Sequence, residues 1–366
     1  MLKTNYDLSL STITPLHIGS GESLERNFDY TVHDRQTWVI DQEALAEHLY
    51  DSEDDGRLQQ MLQAVPPGQL LQPADYGNSA FFRYTMRGVP LGQGTGTAVA
   101  AHIKTVHDQP YIPGSSLKGA LRSLIVRQAF QESGQRLSPN QLNNSRYWAG
   151  QRLERELLGR DPNHDLLRAL HVADSDPIGA DNLILLNAQV FGRYKAGAPI
   201  PLECVRGDAV FHGRLALDNY LFDDPQAQRQ LRLGNRREWL TNLAAIANEQ
   251  AQARIRQEQS FYEARPNSRA AGFYRQLAGL SQKVPADSFL LQVGWGGGWD
   301  SKTLGPMLNG NEREALIGRY RLARGQRQPG QPFPKSRRAI ARGRGEEAQP
   351  AAPLGWLLVE MKERTA

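Results

Sequence analysis

The sequence predicts a mixed α+β fold divided between two domains. Three observations lead there. The chain has 366 residues, more than one domain usually holds. Its hydrophobic fraction of 40% can fill real cores. Short stretches with period-two alternation occur early, in the middle and late, separated by longer helix-prone stretches.

Residues 6–13 alternate like a half-buried strand, with Tyr6, Leu8 and Leu10 on one face and Asp7, Ser9 and Ser11 on the other. Thr14-Pro15-Leu16-His17-Ile18-Gly19-Ser20-Gly21 breaks it with a small-residue loop, expected to leave backbone N–H groups accessible beside His17. Residues 37–40 form a second short strand, and Asp41 starts a helix over 41–50. Residues 51–108 show no steady period, which reads as an insertion or a mobile loop. Within it, Phe81 and Phe82, flanked by Arg83 and Arg87, make either a protruding RNA-contacting hairpin or one packed on its own domain.

Tyr111-Ile112-Pro113-Gly114-Ser115-Ser116-Leu117-Lys118-Gly119-Ala120-Leu121-Arg122 is the first singular stretch. A Pro-Gly turn opens a helix that Ser115 or Ser116 can cap. Leu117, Leu121 and Leu124 make its apolar face. Free N–H groups at a helix start favour an anion, and Lys118 and Arg122 add charge one turn apart. These residues fit a phosphate site; they equally fit a capped amphipathic helix with two solvated cations. A nucleotide-binding P-loop fits poorly, because the spacing and the Gly-Lys-Ser/Thr ending are missing.

The region to about residue 170 is polar and helix-prone. Strands follow at 171–176 and 183–190. Pro199 and Pro201 mark a crossover, Phe211 to Leu217 alternates as a strand, and 225–259 is helix-rich. The second singular stretch is Gly294-Trp295-Gly296-Gly297-Gly298-Trp299-Asp300-Ser301-Lys302, after a strand carrying Phe289, Leu291 and Val293. Adjacent glycines cost backbone entropy, which suits a close backbone approach or positive φ. Two tryptophans and a lysine beside such backbone suit single-stranded RNA; a tight turn with core tryptophans is the alternative. A closing strand covers 353–361.

Charge is uneven although the formal net is +4. Residues 41–55 carry seven acids and no Lys or Arg, and residues 319–344 carry nine Lys or Arg and no acid. The basic stretch points to a polyanion or to a solvated loop. The single cysteine, Cys204, excludes an internal disulfide and a cysteine-rich zinc site. No signal-peptide pattern and no membrane-length apolar run occur, so a soluble cytoplasmic protein is expected. The histidines lack metal-ligand spacing, and no metal or cofactor is expected.

Four stretches taken together resemble the RAMP superfamily of CRISPR effector proteins, which serve antiviral defence. They are Thr14 to Gly21, Tyr111 to Arg122, Gly294 to Lys302, and the ending Phe333-Pro334-Lys335-Ser336-Arg337-Arg338 with Pro353-Leu354-Gly355-Trp356. The likeness is to the fifth, capping subunit of the type III-A Csm complex. It implies two ferredoxin-like (RRM-like) domains with insertions, each an antiparallel sheet with helices on one face. The first spans 1–198, with an insertion around 51–108; the second spans 199–366 and carries the glycine loop 294–298. It also implies a non-catalytic subunit that binds the 3′ part of the CRISPR RNA (crRNA). That subunit caps the filament of backbone subunits near the target RNA and supports crRNA maturation by recruiting cellular nucleases. The RNA-binding set on this resemblance is His17, Gly19, Ser20, Ser115, Ser116, Lys118, Arg122, Trp295, Gly296, Gly297, Gly298, Trp299, Lys302, Lys335, Arg337 and Arg338.

Two rivals stay open. One is a RAMP endoribonuclease with His17 as general base. The other is another RAMP subunit, either a Cmr-type relative or the backbone subunit, which cuts target RNA with a loop aspartate. Asp29 and Asp34 lie in a comparable place here and are read as loop acids.

Overall fold

The computed structural model describes residues 2–364 apart from 53, 93–96, 193–195, 266–267 and 324–326. The strands are β1 (Lys3–Thr12), β2 (Gly19–Glu25), β3 (Tyr30–His33), β4 (Gln36–Ile40), β5 (Phe82–Arg87), β6 (Ala98–His102) and β7 (Leu170–Val172). They continue as β8 (Leu183–Phe191), β9 (Ile200–Val205), β10 (Val210–Asp218), β11 (Ser288–Gln292), β12 (Arg337–Arg342), β13 (Gln349–Ala352) and β14 (Trp356–Glu363). The helices that matter for the site are α1 (Gln42–Asp51), α2 (Gly114–Glu132), α3 (Gln151–Leu158), α4 (Leu243–Glu263), α5 (Arg269–Ser281), α6 (Gly298–Lys302) and α7 (Gly310–Arg319).

The strands form two sheets of the ferredoxin-like kind. One runs β11-β14-β1-β10-β7 and is antiparallel throughout. The other runs β2-β6-β9-β8-β5-β4-β3, with β12 on the far half of β8 and β13 on β12. Both sheets draw strands from each side of residue 198. In β1 the alternation works as read: Leu8 and Leu10 are buried, and Leu10 lies opposite the buried Phe211 of β10. Helix α2 lays Leu117, Leu121, Leu124 and Ile125 into that same core, together with Leu243 and Ile246 of α4. Helix α1 is capped by Asp41, whose side chain accepts from Ala44 N at 3.0 Å.

Several expectations are corrected. Residues 51–108 supply two strands of the second sheet, β5 and β6. Their period was hidden by the Gly/Pro-rich run, partly outside the described residues, that separates them, and by the small residues of Ala98–His102. Of the two readings of Phe81 and Phe82 the packed one holds: both are buried with Leu45 and Leu49, and Arg83 pairs with Asp108 at 2.5 Å. Pro199 and Pro201 do not mark a crossover; Ile200–Val205 is strand β9, paired with β8 and β6. No serine caps α2. Its cap position is Pro113, Ser115 and Ser116 lie in its first turn, and the Gly114 N–H donates to Asp174 Oδ1 at 2.7 Å.

The loop after β1 is a seam between the sheets rather than an open set of donors. Ile13 N and Thr14 N donate to Trp356 O, Leu16 exchanges backbone bonds with Val205, and Ile18 N donates to His102 Nδ1. On the far side, Gly355 N donates to Pro15 O at 2.9 Å and Val293 N donates to Gly355 O at 2.8 Å. Gly355 holds φ +78°, and a Cβ there would lie 2.0 Å from Val293 O. Gly355→Ala therefore combines a left-handed backbone with a main-chain clash, and should lower unfolding free energy in urea by about 2–4 kcal/mol. Gly279→Ala, inside α5 with nothing within 4 Å of its Cβ, should instead raise stability by up to about 1 kcal/mol.

Candidate nucleic-acid interface

The glycine loop turns between β11 and α6, and most of its glycines answer to the protein's own packing. Gly294 holds φ +76°, and a Cβ there would sit 2.4 Å from His17 O. That approach lets Trp295 N donate to His17 O at 2.8 Å. Gly296 holds φ +109° and would meet Leu354 Cβ at 2.9 Å; a Cβ at Gly297 would meet Ser301 Oγ at 2.7 Å. Gly298 differs: its φ is +72°, yet nothing lies within 4 Å of its Cβ position. It opens onto free space at the start of α6.

Two open clefts flank this loop. The first, about 450 Å³, is lined by Gly19, Ser115, Ser116, Trp295 and Lys302. Ser20 is exposed beside it, and its hydroxyl reaches toward Ala101 O at 3.4 Å. Segments about 96 and 180 residues apart in sequence thus share one wall. The second, about 460 Å³, holds Gly296, Gly297, Gly298, Trp299, Lys335 and Arg338. Arg338 joins the two, its guanidinium 4.8 Å over the Trp295 ring. The Lys302 pKa is lowered, first by desolvation and then by the charge of Arg338. Cations gathered this way favour an anion between them.

Other expected residues do not join these clefts. Lys118 and Arg122 point away from Ser115 and Ser116, into a separate hollow of about 600 Å³ against α3. Arg122 is committed to Asp165 at 2.8 Å and Glu154 at 3.1 Å. The Lys118 pKa is lowered by desolvation. Trp299 is partly packed, against Phe333 and over Gly305. His17 is 3% exposed, and its Nδ1 bonds Glu203 O at 2.6 Å. Asp29 accepts from Glu25 N at 2.7 Å in a turn, and Asp34 is exposed beside His33.

The comparisons with known proteins bear on the family and the fold. The RAMP superfamily model matches residues 9–299, more than half of the chain. The chain belongs to the RAMP superfamily. It is 29% identical over 179 residues to the CRISPR system Cms protein Csm5 of Mycobacterium tuberculosis, covering 45% of this chain and 46% of that one. It is 24% identical over 221 residues to Csm5 of Streptococcus thermophilus, covering 54% and 59%. The chain thus spans about half the length of the curated relatives it matches. Its fold is similar to a chain of a cryo-EM Csm–crRNA–target RNA ternary complex of a type III-A system, with TM-score 0.69, 22% identity and coverage of 97% and 100%. It is also similar to the crystal structure of T. onnurineus Csm5, with TM-score 0.62, 22% identity and coverage of 95% and 99%.

Two buried charge networks hold the clefts of this RAMP protein in place, and neither is legible in the sequence. In the first, Arg337 pairs with Glu258 at 2.6 Å and Asp300 at 3.4 Å, and Arg254 pairs with the same two acids at 3.1 Å each. Arg127 donates to the carbonyls of Asp300, Ser301 and Thr303, and burial pulls its pKa down to about 10. These bonds fix α6, and with it the glycine loop, to α4, α2 and β12. Arg337, expected on RNA, is thereby spent on the fold. In the second network, the fully buried Glu203 accepts from His102 N at 2.8 Å and from Lys104 at 2.5 Å, beneath His17. Burial depresses both histidines, His102 to about 3. Among the described residues, no helix is long and apolar enough to cross a membrane.

Arg337→Met leaves two buried carboxylates short of a partner, and should cost about 3–5 kcal/mol in urea unfolding. Arg338→Met, at the exposed next position, should cost less than about 1 kcal/mol. The histidines predict acid sensitivity. Unfolded, each takes a proton near pH 6.5; folded, His102 does so only near 3. The unfolded state therefore binds more protons between these values, and stability present above pH 6.5 is lost as pH falls toward 3. His102→Gln keeps an acceptor for Ile18 N and should shrink the loss between pH 7 and 5 by about 2 kcal/mol.

Proposed function

We propose that this RAMP protein is a non-catalytic, crRNA-binding subunit of a type III-A Csm effector complex. It caps the filament of backbone subunits at the 3′ part of the crRNA and supports maturation of that end. Its partners are the crRNA, the neighbouring backbone subunit, nearby target RNA and a cellular nuclease. One observation carries the reading: Gly19, Ser115, Ser116, Trp295 and Lys302, from three distant motifs, line one open cleft. Arg338 extends its charge across the glycine loop. Exposed hydroxyls, main chain and cations hold phosphates without reading bases, which gives steep salt dependence. The Csm5 names of the relatives and the Csm–crRNA–target RNA neighbour support the assignment to that complex.

The endoribonuclease reading asks His17 to act as a base at a reachable surface. Its burial, its bond to Glu203 O and its lowered pKa speak against that role.

Lys302→Ala with Arg338→Ala should weaken binding of single-stranded RNA by about 1–3 kcal/mol and flatten its salt dependence, measured by fluorescence anisotropy. Lys118→Ala, on the other side of α2, should leave both unchanged. Equal affinity and slope in the folded double variant would contradict the cleft assignment. In the purified complex with its co-expressed neighbours, Asp29→Ala and Asp34→Ala should leave RNA cleavage intact. Loss of a set of cuts on either would make this subunit an enzyme.

A further inference from the structure

The side of α2 away from the clefts presents a surface that the RNA reading does not use. Tyr147 is 94% exposed and its neighbour Trp148 is 58% exposed. The turn that presents them is pinned at its base. Asn143 N donates to Ala149 O at 3.2 Å, and Tyr320 Oη donates to Asn143 O at 2.5 Å. Two large aromatic side chains are thus held out in water on a fixed support. Both border the hollow of about 600 Å³ between α2, α3 and residues 159–168. The acids of that hollow are already spent. Glu154 and Asp165 hold Arg122 at 3.1 and 2.8 Å, and Asp161 pairs with Arg160 at 3.3 Å. Three lining cations are not so engaged. Among the described residues, none of Lys118, Arg155 and Arg168 is in ion-pair reach of a carboxylate, and Arg155 and Arg168 are exposed. The hollow therefore carries surplus positive charge beside an aromatic rim.

Exposed Tyr and Trp beside Arg are the residue types that dominate protein–protein contacts. A phosphate chain fits this hollow less well, because Glu154, Asp161 and Asp165 stand in its walls. The two clefts at the glycine loop hold one acid between them, the ion-paired Asp300. Protein side chains can answer both signs and the rings as well. Resting on the subunit reading above, but not on the RNA cleft, we propose that this face docks a neighbouring protein subunit of the effector complex. The docked segment carries a carboxylate beside an apolar side chain. The carboxylate meets Lys118, and the apolar side chain covers Tyr147 and Trp148. A carboxylate there also offsets the desolvation that lowers the Lys118 pKa. Complementary charge of this kind selects the partner and fixes its register. The two sides of α2 then have separate tasks: Ser115 and Ser116 face the RNA, and Lys118 faces a protein.

The test uses the complex purified with its co-expressed neighbours and treated with a water-soluble carbodiimide, which joins an amine to a carboxylate only where the two touch. Mass spectrometry should find Lys118 of the wild-type chain joined to an Asp or Glu of a different subunit. Two variants test the same face by assembly. Tyr147→Ala with Trp148→Ala removes the rings, and Lys118→Glu, made separately, reverses the charge. Each should fold, bind single-stranded RNA as the wild type does in fluorescence anisotropy, and enter the complex roughly tenfold less well in competition with the wild-type chain. No crosslink from Lys118, with normal entry of both variants, would overturn the docking face and leave the subunit reading standing. Variants that lose RNA affinity but assemble normally would also overturn it and make this face an RNA platform. Crosslinks from Lys118 only to a second copy of this chain would overturn it in favour of self-association. A wild-type chain that does not co-purify with those neighbours would overturn the subunit reading, and the docking face with it.

Discussion

The structure depends on one close approach, that of Gly294 to the carbonyl of His17. Only a residue without a side chain fits there, at φ +76° and with a virtual Cβ 2.4 Å from that oxygen. The approach creates the Trp295 N–H to His17 O bond and presses the third motif onto the first. The first motif is itself tied to β9, β6 and β14. The carbonyl of His17 is therefore fixed from behind, and the glycine loop is set against a rigid seam. The seam joins two sheets whose strands come from both parts of the chain. A cleft at this junction inherits its shape from the whole fold.

The other side of the loop is held by charge. Arg254 and Arg337 bridge Glu258 and Asp300 in the interior, and Arg127 takes the carbonyls at the end of α6. Buried ion pairs add little net stability against an apolar core, but breaking one leaves an uncompensated charge. Their contribution here is position: they leave the loop one place to sit. What remains exposed around it is Lys302, Arg338 and Ser115, with Ser116 and Gly298 half-buried beside them. Rigid backbone with a few cations suits a phosphate chain, because such a site is organised before a ligand arrives.

Much of this was legible in the sequence. The alternation of Tyr6, Leu8 and Leu10 and the cap at Asp41 each read as they stand in the fold; the glycine stretch read as singular, but Gly294, Gly296 and Gly297 pack on His17, Leu354 and Ser301. The three motifs could be named, but their meeting could not be derived from local patterns, since it depends on sheet order. Helical geometry separated residues that composition grouped: Ser115 and Ser116 face the cleft, whereas Lys118 and Arg122 face α3. Arg337 and Arg338 look equivalent as neighbours in a basic run. The period of two in β12 sends one to Glu258 and Asp300 and the other to solvent. Arg127, Arg254 and Asp300 gave no signal, because a buried ion pair is written in tertiary contact alone. β5 was read only as a hairpin around Phe81 and Phe82, and β6, which is Ala98–His102, has mostly small residues that carry little alternation.

The central claim is that three distant segments form one RNA-holding cleft around a fixed glycine loop. Hydrogen–deuterium exchange on the subunit alone and in the assembled complex with RNA tests it most directly. The account predicts added protection together at residues 19–20, 115–119 and 295–299. Unchanged exchange at all three, with protection confined to the opposite face around 146–168, would contradict it.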